Sequence, residues 1–599
     1  MNAQQRRRKA AAADEIAQWR KQTDNGAWGS ECISMKEITD ALQHTNKSAA
    51  PGADRITGKM LQKGGKVITS ALHVFLNATF KYEVTPSHFV LDTVVPIYKG
   101  KGSRYYAKSY RPVSLMSIVA KIYQRIIYDR VQDGTKSLEA KEGSPGLSPA
   151  QMGSRKGKDR LSLIYTMLGA VRARAVEGKA TYIAQADIEG AFPSASKETT
   201  DHEMWTTHNI RGKIWRVIRS LEQGERGTIR INGRNTYEET HDDGFSQGGI
   251  HAGHRFLFSI DPLFREIQRT EQGATVQGPD GQQIDISVLG YVDDTFLLAT
   301  SAENLQHLLT KSEEVAREKS FSWSPDKTNI MVANPPKNRR KRHTWNHAGR
   351  QGIPYENQMT VLGEKVSTNA YRNKTQVQDT IKRAAAAART LEWMGAYEEG
   401  MTPELVEILF NALVQSVLTS GLSVSSMTEK EWEQVDTIKA NVARRYLHVG
   451  ERASVDTTLM ELGWESPRIP IIMNKIRTVV KILRGSAGSA GVNIARTRIL
   501  HAENGDTQGP IVEAWAWTQK VTGGLTIESI LDIKEEEVKA NLNQWKRRWR
   551  DESNKISHQK EQNRRAEAGE ATLAERKTTR AAKAAPPTSS QKPRNAERA

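Results

Sequence analysis

The sequence predicts an α+β fold: an antiparallel sheet accompanied by helices, followed by a basic tail with no means of folding. Three observations carry this. The stretch "SVLGYVDDTFLLAT" (287–300) reads as a hairpin, apolar residues recur at helical spacing after 118, and 546–599 has few apolar residues. At 599 residues the chain can build a large core and several subdomains. It is 37% hydrophobic and 26% charged, and its net charge of +18 favours a polyanionic partner, nucleic acid before an anionic membrane surface. The sole cysteine, Cys32, excludes an internal disulfide and a cysteine-cluster zinc site, and makes a reducing compartment the natural expectation. No apolar run is expected to reach the ~18 residues of a bilayer span. The start "MNAQQRRRKAAAADE" lacks the hydrophobic core of a secretory signal.

The elements follow in order. Residues 1–45 read as a polar, peripheral helical extension. "APGADRITGKML" (50–61) is a turn-rich lead into a helix, and "FVLDTVVPIYKGKG" (89–102) a strand running into a basic loop. "SYRPVSLMSIVAKIYQRIIYDRV" (109–131) gives a loop, then a helix with Ile118, Ile122, Ile126 and Ile127 on its apolar face. "YIAQADIEGAF" (182–192) is a strand leading into a turn. In 287–300, apolar flanks surround Asp293 and Asp294, as in two buried strands joined by a two-residue acidic turn. Residues 403–424 and 431–447 read as amphipathic helices. Residues 511–524 and 537–550 read as small helices whose tryptophans are core residues by default, base stacking being the alternative. "PPKNRRKRH" (335–343) is a basic loop. The tail 546–599 holds 15 Lys and Arg against 7 acids, net +8: a solvated arm, with phosphate contact as the second reading.

Adjacent buried carboxylates repel each other and lose water, so they need a cation or a raised pKa. A third acid, Asp187, ends a predicted strand 106 residues before Asp293, placed to face the hairpin tip across one sheet. Three converging carboxylates make an oxygen cage suited to Mg²⁺. Two such ions can activate an attacking 3′-hydroxyl and stabilise a departing pyrophosphate.

Further motifs stand in a telling order: "APGADRI", "VVPIYKGKG", "YRPVSL", "AKIYQRII", "SPAQMGSRKGKD" (148–159), "ADIEGAF", "GFSQGGI" (244–250), "GYVDD", "SPDKTNIMV" (324–332), "VLG" (361–363), "LFNALVQSVLTSGLSV" (409–424) and "LMELGWESPRIPI" (459–471). In that order, residues 46–470 resemble the reverse transcriptases of non-LTR (LINE-type) retrotransposons. The resemblance implies a right-hand polymerase with fingers, an antiparallel-sheet palm and a helical thumb. Its divisions would be an N-terminal extension (1–45), fingers and palm (46–365), thumb and connection (366–485), a small helical region (486–545) and a disordered basic tail (546–599). It implies an RNA-directed DNA polymerase using two Mg²⁺, with Mn²⁺ as a substitute. Its partners would be an RNA template, a DNA primer or target, dNTPs and a separate endonuclease, without a membrane. Its setting would be nuclear, with a cytoplasmic ribonucleoprotein stage.

By the same resemblance Asp187, Asp293 and Asp294 are the metal-binding acids, with the backbone carbonyl of Ile188 as a further ligand. Phe192 lies under the incoming sugar, where its ring would exclude a 2′-hydroxyl; plain core packing is the other reading. Lys99 and Arg111 grip the triphosphate, with Lys101 an equal candidate for the lysine. Gln247 lines the nucleotide pocket, and Lys327 protonates pyrophosphate. The chain departs from the family at Pro193 and at Gly249–Ile250, which precede His251 and Gly253 in an unusual "GGIHAGHRF". His251 and His254 lack metal-ligand spacing, so polar contact or surface exposure is expected of them. About 45 residues precede the polymerase, too few for an apurinic-type endonuclease, and one cysteine excludes a zinc knuckle. The expectation is a truncated element, a family without its own nuclease, or one segment of a split machine. The alternatives are a domesticated RNA-binding protein, motivated by the departures, or a polymerase of another template class, against which Phe192 argues.

Overall fold

The computed structural model describes residues 12–19, 28–136, 146–241, 243–336, 344–369, 374–398, 400–485, 489–533, 540–548, 550–551 and isolated positions as far as 562. Near the N-terminus, helix α1 (Met35–Gln43) starts at a reciprocal capping box between Ser34 and Glu37. It packs with α2 (Gly65–Tyr82), burying Ile38 and Leu42 beside Leu72, Leu76 and Phe80. Strands β1 (Leu91–Tyr98) and β2 (Tyr110–Met116) pair antiparallel, Tyr98 opposite Tyr110, and Arg226–Ile231 adds in parallel to β1. Helix α3 (Ile118–Lys136) buries Ile118, Ile122, Ile126 and Ile127 in the same core, as their spacing predicts. Gly52 is glycine because a Cβ there would lie 2.5 Å from the backbone nitrogen of Ser117.

The described part of the N-terminal extension is not peripheral, contrary to the sequence reading. Ile16, Ile33 and Ile38 are core residues. Arg130 of α3 donates from Nε to Glu37 (2.6 Å) and from its terminal nitrogens to the carbonyls of Gly29, Glu31 and Cys32. One guanidinium thus satisfies backbone groups of a segment that has no ladder of its own.

Helix α4 (Arg160–Val176) precedes β3 (Thr181–Asp187), and α5 (Ile250–Gln268) precedes the hairpin of β4 (Val288–Tyr291) and β5 (Asp294–Ala299). Helix α6 (Ala302–Glu318) and β6 (Asn329–Ala333) follow. The second sheet runs Tyr355–Glu356, β6, β3, β5, β4, with every pairing antiparallel except the first. Its central strands are apolar on both faces because both faces are covered. Ile183, Leu289, Phe296, Leu298 and Met331 pack with α4, while Ala184, Ala186, Val288, Leu297 and Ile330 pack with α5 and α6. The period-two alternation of a strand assigns neighbouring residues to two different cores.

Beyond the sheet lie α7 (Lys374–Trp393), α8 (Glu429–Tyr446), α9 (Arg468–Leu483), α10 (Ala490–Glu503) and α11 (Pro510–Thr522). Helices α9, α10 and α11 all rest on α4, so these helices share one continuous core with the sheet. Trp515 and Trp545 are buried in it, which removes them as base-stacking platforms. Residues 546–548 and 550–551 of the expected tail are helical, and Lys546 and Arg550 pair with Glu465. The rest of the tail, a few isolated positions aside, lies outside the described residues, as do 337–343 of the basic loop.

Pro403–Leu422 is helical throughout and is long and apolar enough to cross a bilayer. Its burial says otherwise: Val406, Phe410, Val414, Leu418 and Leu422 enter the common core. A four-residue repeat overshoots the α-helical turn of 3.6, and the π-turn at Asn411–Gln415 absorbs the excess, keeping one face inward. Leu418→Ala should therefore destabilise the chain by about 2–4 kcal/mol in urea unfolding. Ile408→Ala, on the exposed side, should stay within about 0.5 kcal/mol. Equal effects would refute the core-helix assignment.

Candidate active site

The register of β3 against β5 sets Asp187 directly opposite Asp294. Like charges facing across a ladder repel, so this arrangement has to be compensated. The hairpin turn is not the acidic pair the sequence suggests. Its two central residues are Val292 and Asp293, and Asp294 is already the first residue of β5, paired with Tyr291. Val292 has φ +61° and Asp293 does not share the positive sign, the pattern of a type II′ turn. That first position normally takes glycine; a β-branched residue there is strained. The strand glycine before it, Gly290, is required because a Cβ would land on the Phe264 ring.

Burial pushes the carboxyl of Asp294 up to about 6, and the charges of Asp293 and Asp187 add to the rise. Asp293 is raised for the same leading reason, opposed by its own backbone amide, with Asp187 raising it and Lys327 lowering it. Lys327 Nζ sits 2.5 Å from Asp187 Oδ2, delivered by the single turn Pro325–Lys327. One ammonium against three acids leaves net negative charge in a half-buried setting. Among the described residues no three such side chains are drawn together tightly enough to form a ready-made metal cage. The donor set still fits a hard divalent cation: carboxylate oxygens only, short of positive charge.

The remaining sequence candidates are placed as follows. Ile188 is buried and bridged to Trp323, and its neighbour's carbonyl, that of Asp187, accepts from Ser324 N at 2.8 Å. Phe192 is half-buried, stacked on Phe256 with centroids 5.1 Å apart, so core packing accounts for one of its faces. Lys99 donates to the Lys108 carbonyl (2.8 Å), and Arg111 lies exposed on β2 opposite Ile97. Gln247 is tied to the strand that carries Arg111, its carbonyl accepting from Ser114 N at 2.6 Å. Gly248, at φ +129°, would set a Cβ 2.5 Å from the Ser114 carbonyl oxygen. Two segments far apart in sequence are thereby held edge to edge. Pro193 is exposed beside them in the turn Ala191–Ser194.

The unusual histidines are not surface groups. His251 is fully buried with Nε2 3.3 Å from Glu225, and Glu225 also takes Lys197 (2.8 Å). Arg255, one turn on, is buried against Asp201 (2.5 Å) and Glu222 (2.9 Å). His254 bonds the Ile250 carbonyl (3.0 Å) and stacks on Tyr128. The polar-contact reading holds and the exposure reading falls. Buried charge survives only when compensated, and here these contacts tie α5 to residues 197–225.

The motif "SPAQMGSRKGKD" holds a site residue that its sequence does not single out. In the structure Gln151 lies against the hairpin tip, accepting from Val292 N and donating to the Val292 carbonyl. Its sequence signal is its place in a motif of the resemblance, two residues before Gly153.

Residues 97–376 match the family model described as reverse transcriptase (RNA-dependent DNA polymerase). This region, which contains both the facing acids and the hairpin, is a reverse transcriptase domain, and its curated relatives are transposon proteins. The chain is 24% identical over 298 residues to the Transposon TX1 uncharacterized 149 kDa protein of Xenopus laevis, covering 49% of this chain and 22% of that one. It is 26% identical over 101 residues to the Probable RNA-directed DNA polymerase from transposon BS of Drosophila melanogaster, covering 17% of this chain and 11% of that one. The chain thus spans under a quarter of the length of these curated relatives.

A pH test of the acid cluster follows. The folded-state pKa of Asp294 lies above its unfolded value, so the fold favours the protonated form. The penalty grows as pH rises from about 4 to about 6 and is constant above that. In metal-free protein, Asp294→Asn should raise stability at pH 8 by on the order of 2 kcal/mol, an advantage that vanishes near pH 4. Thermal melts of both proteins across pH 4–8 measure it; parallel curves would show that neither burial nor its neighbours raise the Asp294 carboxyl.

Proposed function

We propose that this chain is an RNA-directed DNA polymerase that extends a primer 3′-hydroxyl on a retroelement RNA template by two-metal-ion nucleotidyl transfer. The reading is carried by one observation: Asp187 facing Asp294 across adjacent strands, with Asp293 at the hairpin tip, inside a reverse transcriptase domain. The sheet of β3 to β6 is read as palm, the β1–β2 hairpin as fingers, and the helices from α7 onward as thumb. Asp187, Asp293, Asp294 and the Ile188 carbonyl would hold two Mg²⁺, or Mn²⁺ in substitution. When bound, the ions would activate the attacking hydroxyl and stabilise the departing pyrophosphate.

The chain's own residues do the rest. Arg111 and Lys99, exposed at the end of the β1–β2 hairpin, meet the triphosphate as a fork and a point charge. Gln247 borders the nucleotide from the loop that braces β2. Lys327 pairs with Asp187 and is free to pass to pyrophosphate as a general acid once the acids are otherwise compensated. Phe192, backed by Phe256, offers its other face to the sugar. The net charge of +18 suits RNA template and DNA primer, and nicking of a DNA target would come from a separate endonuclease.

Asp293→Asn should abolish primer extension on an RNA template while RNA affinity stays within about twofold. Loss of a single transition-state stabiliser removes on the order of 10²–10³ in rate. Near-normal extension by the variant would overturn the metal assignment. Phe192→Val should admit ribonucleotides while deoxynucleotide synthesis remains measurable. Competing dNTP and rNTP efficiencies report it, each ~1.4 kcal/mol of lost discrimination being tenfold. An unchanged ratio with both activities reduced would make Phe192 plain core packing, and wild type preferring rNTPs would promote the RNA-synthesis alternative.

A further inference from the structure

We propose that Gln151 is a positioning residue for the acidic hairpin: its carboxamide clamps the backbone of Val292 and so fixes where Asp293 and Asp294 stand. The inference rests on the polymerase reading above. The carboxamide of Gln151 is buried and spends all its strongest contacts here. Its oxygen accepts from Val292 N and Gly153 N, each at 2.9 Å, and its nitrogen donates to the Val292 carbonyl at 3.1 Å. Both backbone groups of one turn residue are thus taken by one side chain. That residue is the strained one, held at φ +61° where hairpins ordinarily place glycine. A β-branched residue does not stay there unless the surroundings over-determine it.

The clamp is itself anchored. Residues 150–152 add to β4 at the edge of the sheet, Met152 N donating to the Gly290 carbonyl (2.7 Å) and Gly290 N to the Ala150 carbonyl (2.9 Å). Asp261 of α5 accepts from Ser148 N at 2.6 Å, and Arg155 donates to the carbonyls of Ser148 and Gln151. Gly153 abuts Val292 so closely that a Cβ would strike its backbone nitrogen. The segment therefore reaches the hairpin tip with no slack. The hydrogen bonds of the carboxamide go to Val292 and Gly153 and not to the carboxylates, so its influence passes through the turn.

The test uses the full-length chain and two substitutions. Gln151→Met keeps approximate volume and removes every clamp bond. Val292→Gly puts at the turn a residue that adopts positive φ without strain. With saturating template, primer and dNTP, Gln151→Met should extend roughly 10- to 100-fold more slowly, the scale of a misplaced reacting group. It should need several-fold more Mg²⁺ for half-maximal rate and bind template–primer within about twofold of wild type. In the Val292→Gly background the same substitution should cost much less, because the strain it released is gone; such non-additivity is the mark of direct coupling. Hydrogen exchange at 288–296 should quicken in Gln151→Met and not at β6, a readout that needs no activity. An inactive wild type would overturn the polymerase reading, and exchange would still decide the clamp. Unchanged exchange, or rate losses that simply add in the double variant, would overturn the proposal.

Discussion

Asp187 and Asp294 face each other where two neighbouring strands end, with Asp293 next in the turn, and the structure around them is arranged to tolerate that. Burial and mutual repulsion raise the pKa values of the hairpin pair, and Lys327 offsets only part of the charge. Such a cluster is intrinsically unfavourable, and it persists because the strands that carry it cannot move apart. Their apolar residues are divided between two cores, one against α4 and one against α5 and α6.

The same logic explains the neighbouring polar burial. Helix α5 carries His251 and Arg255, both fully buried and each paired with acids from before it in the chain. It also carries Asp261, which receives Ser148 N, and Phe264, which forces glycine at 290. One helix thus connects an ion-pair network on one side to the tip of the hairpin on the other. Gly249 and Ile250, with His251 after them, fall at its start, and the His251–Glu225 contact gives the histidine a structural occupation. The structure offers no account of Pro193, which is exposed.

On the far side, helices from 374 to 522 are not an appendage. They share a core with α4 and the sheet, so the rigidity of the candidate site draws on residues several hundred positions downstream. The helix Pro403–Leu422 shows how composition alone misleads: its apolar content would suit a bilayer, and its buried face is spent on neighbouring helices instead.

Local pattern determined much of this protein. Alternation and apolar runs marked β3, β4 and β5; spacing marked α3 and α8; the acids at 187, 293 and 294 stood out because buried charge needs a reason. The ordered motifs pointed to a reverse transcriptase, a likeness that the family match over 97–376 supports. What sequence could not supply was anything fixed by contact between distant segments. The turn was misplaced by one residue, because only the ladder shows that Asp294 is paired and Val292 is not. Sequence left His251 between polar contact and surface, because its partner Glu225 becomes adjacent only when α5 packs. Gln151 carried no sign of its task, since a glutamine's hydrogen bonds are chosen by what the fold brings within reach. Residue type and spacing are written in the chain, whereas register, partner and strain come into being only when separate segments are pressed together.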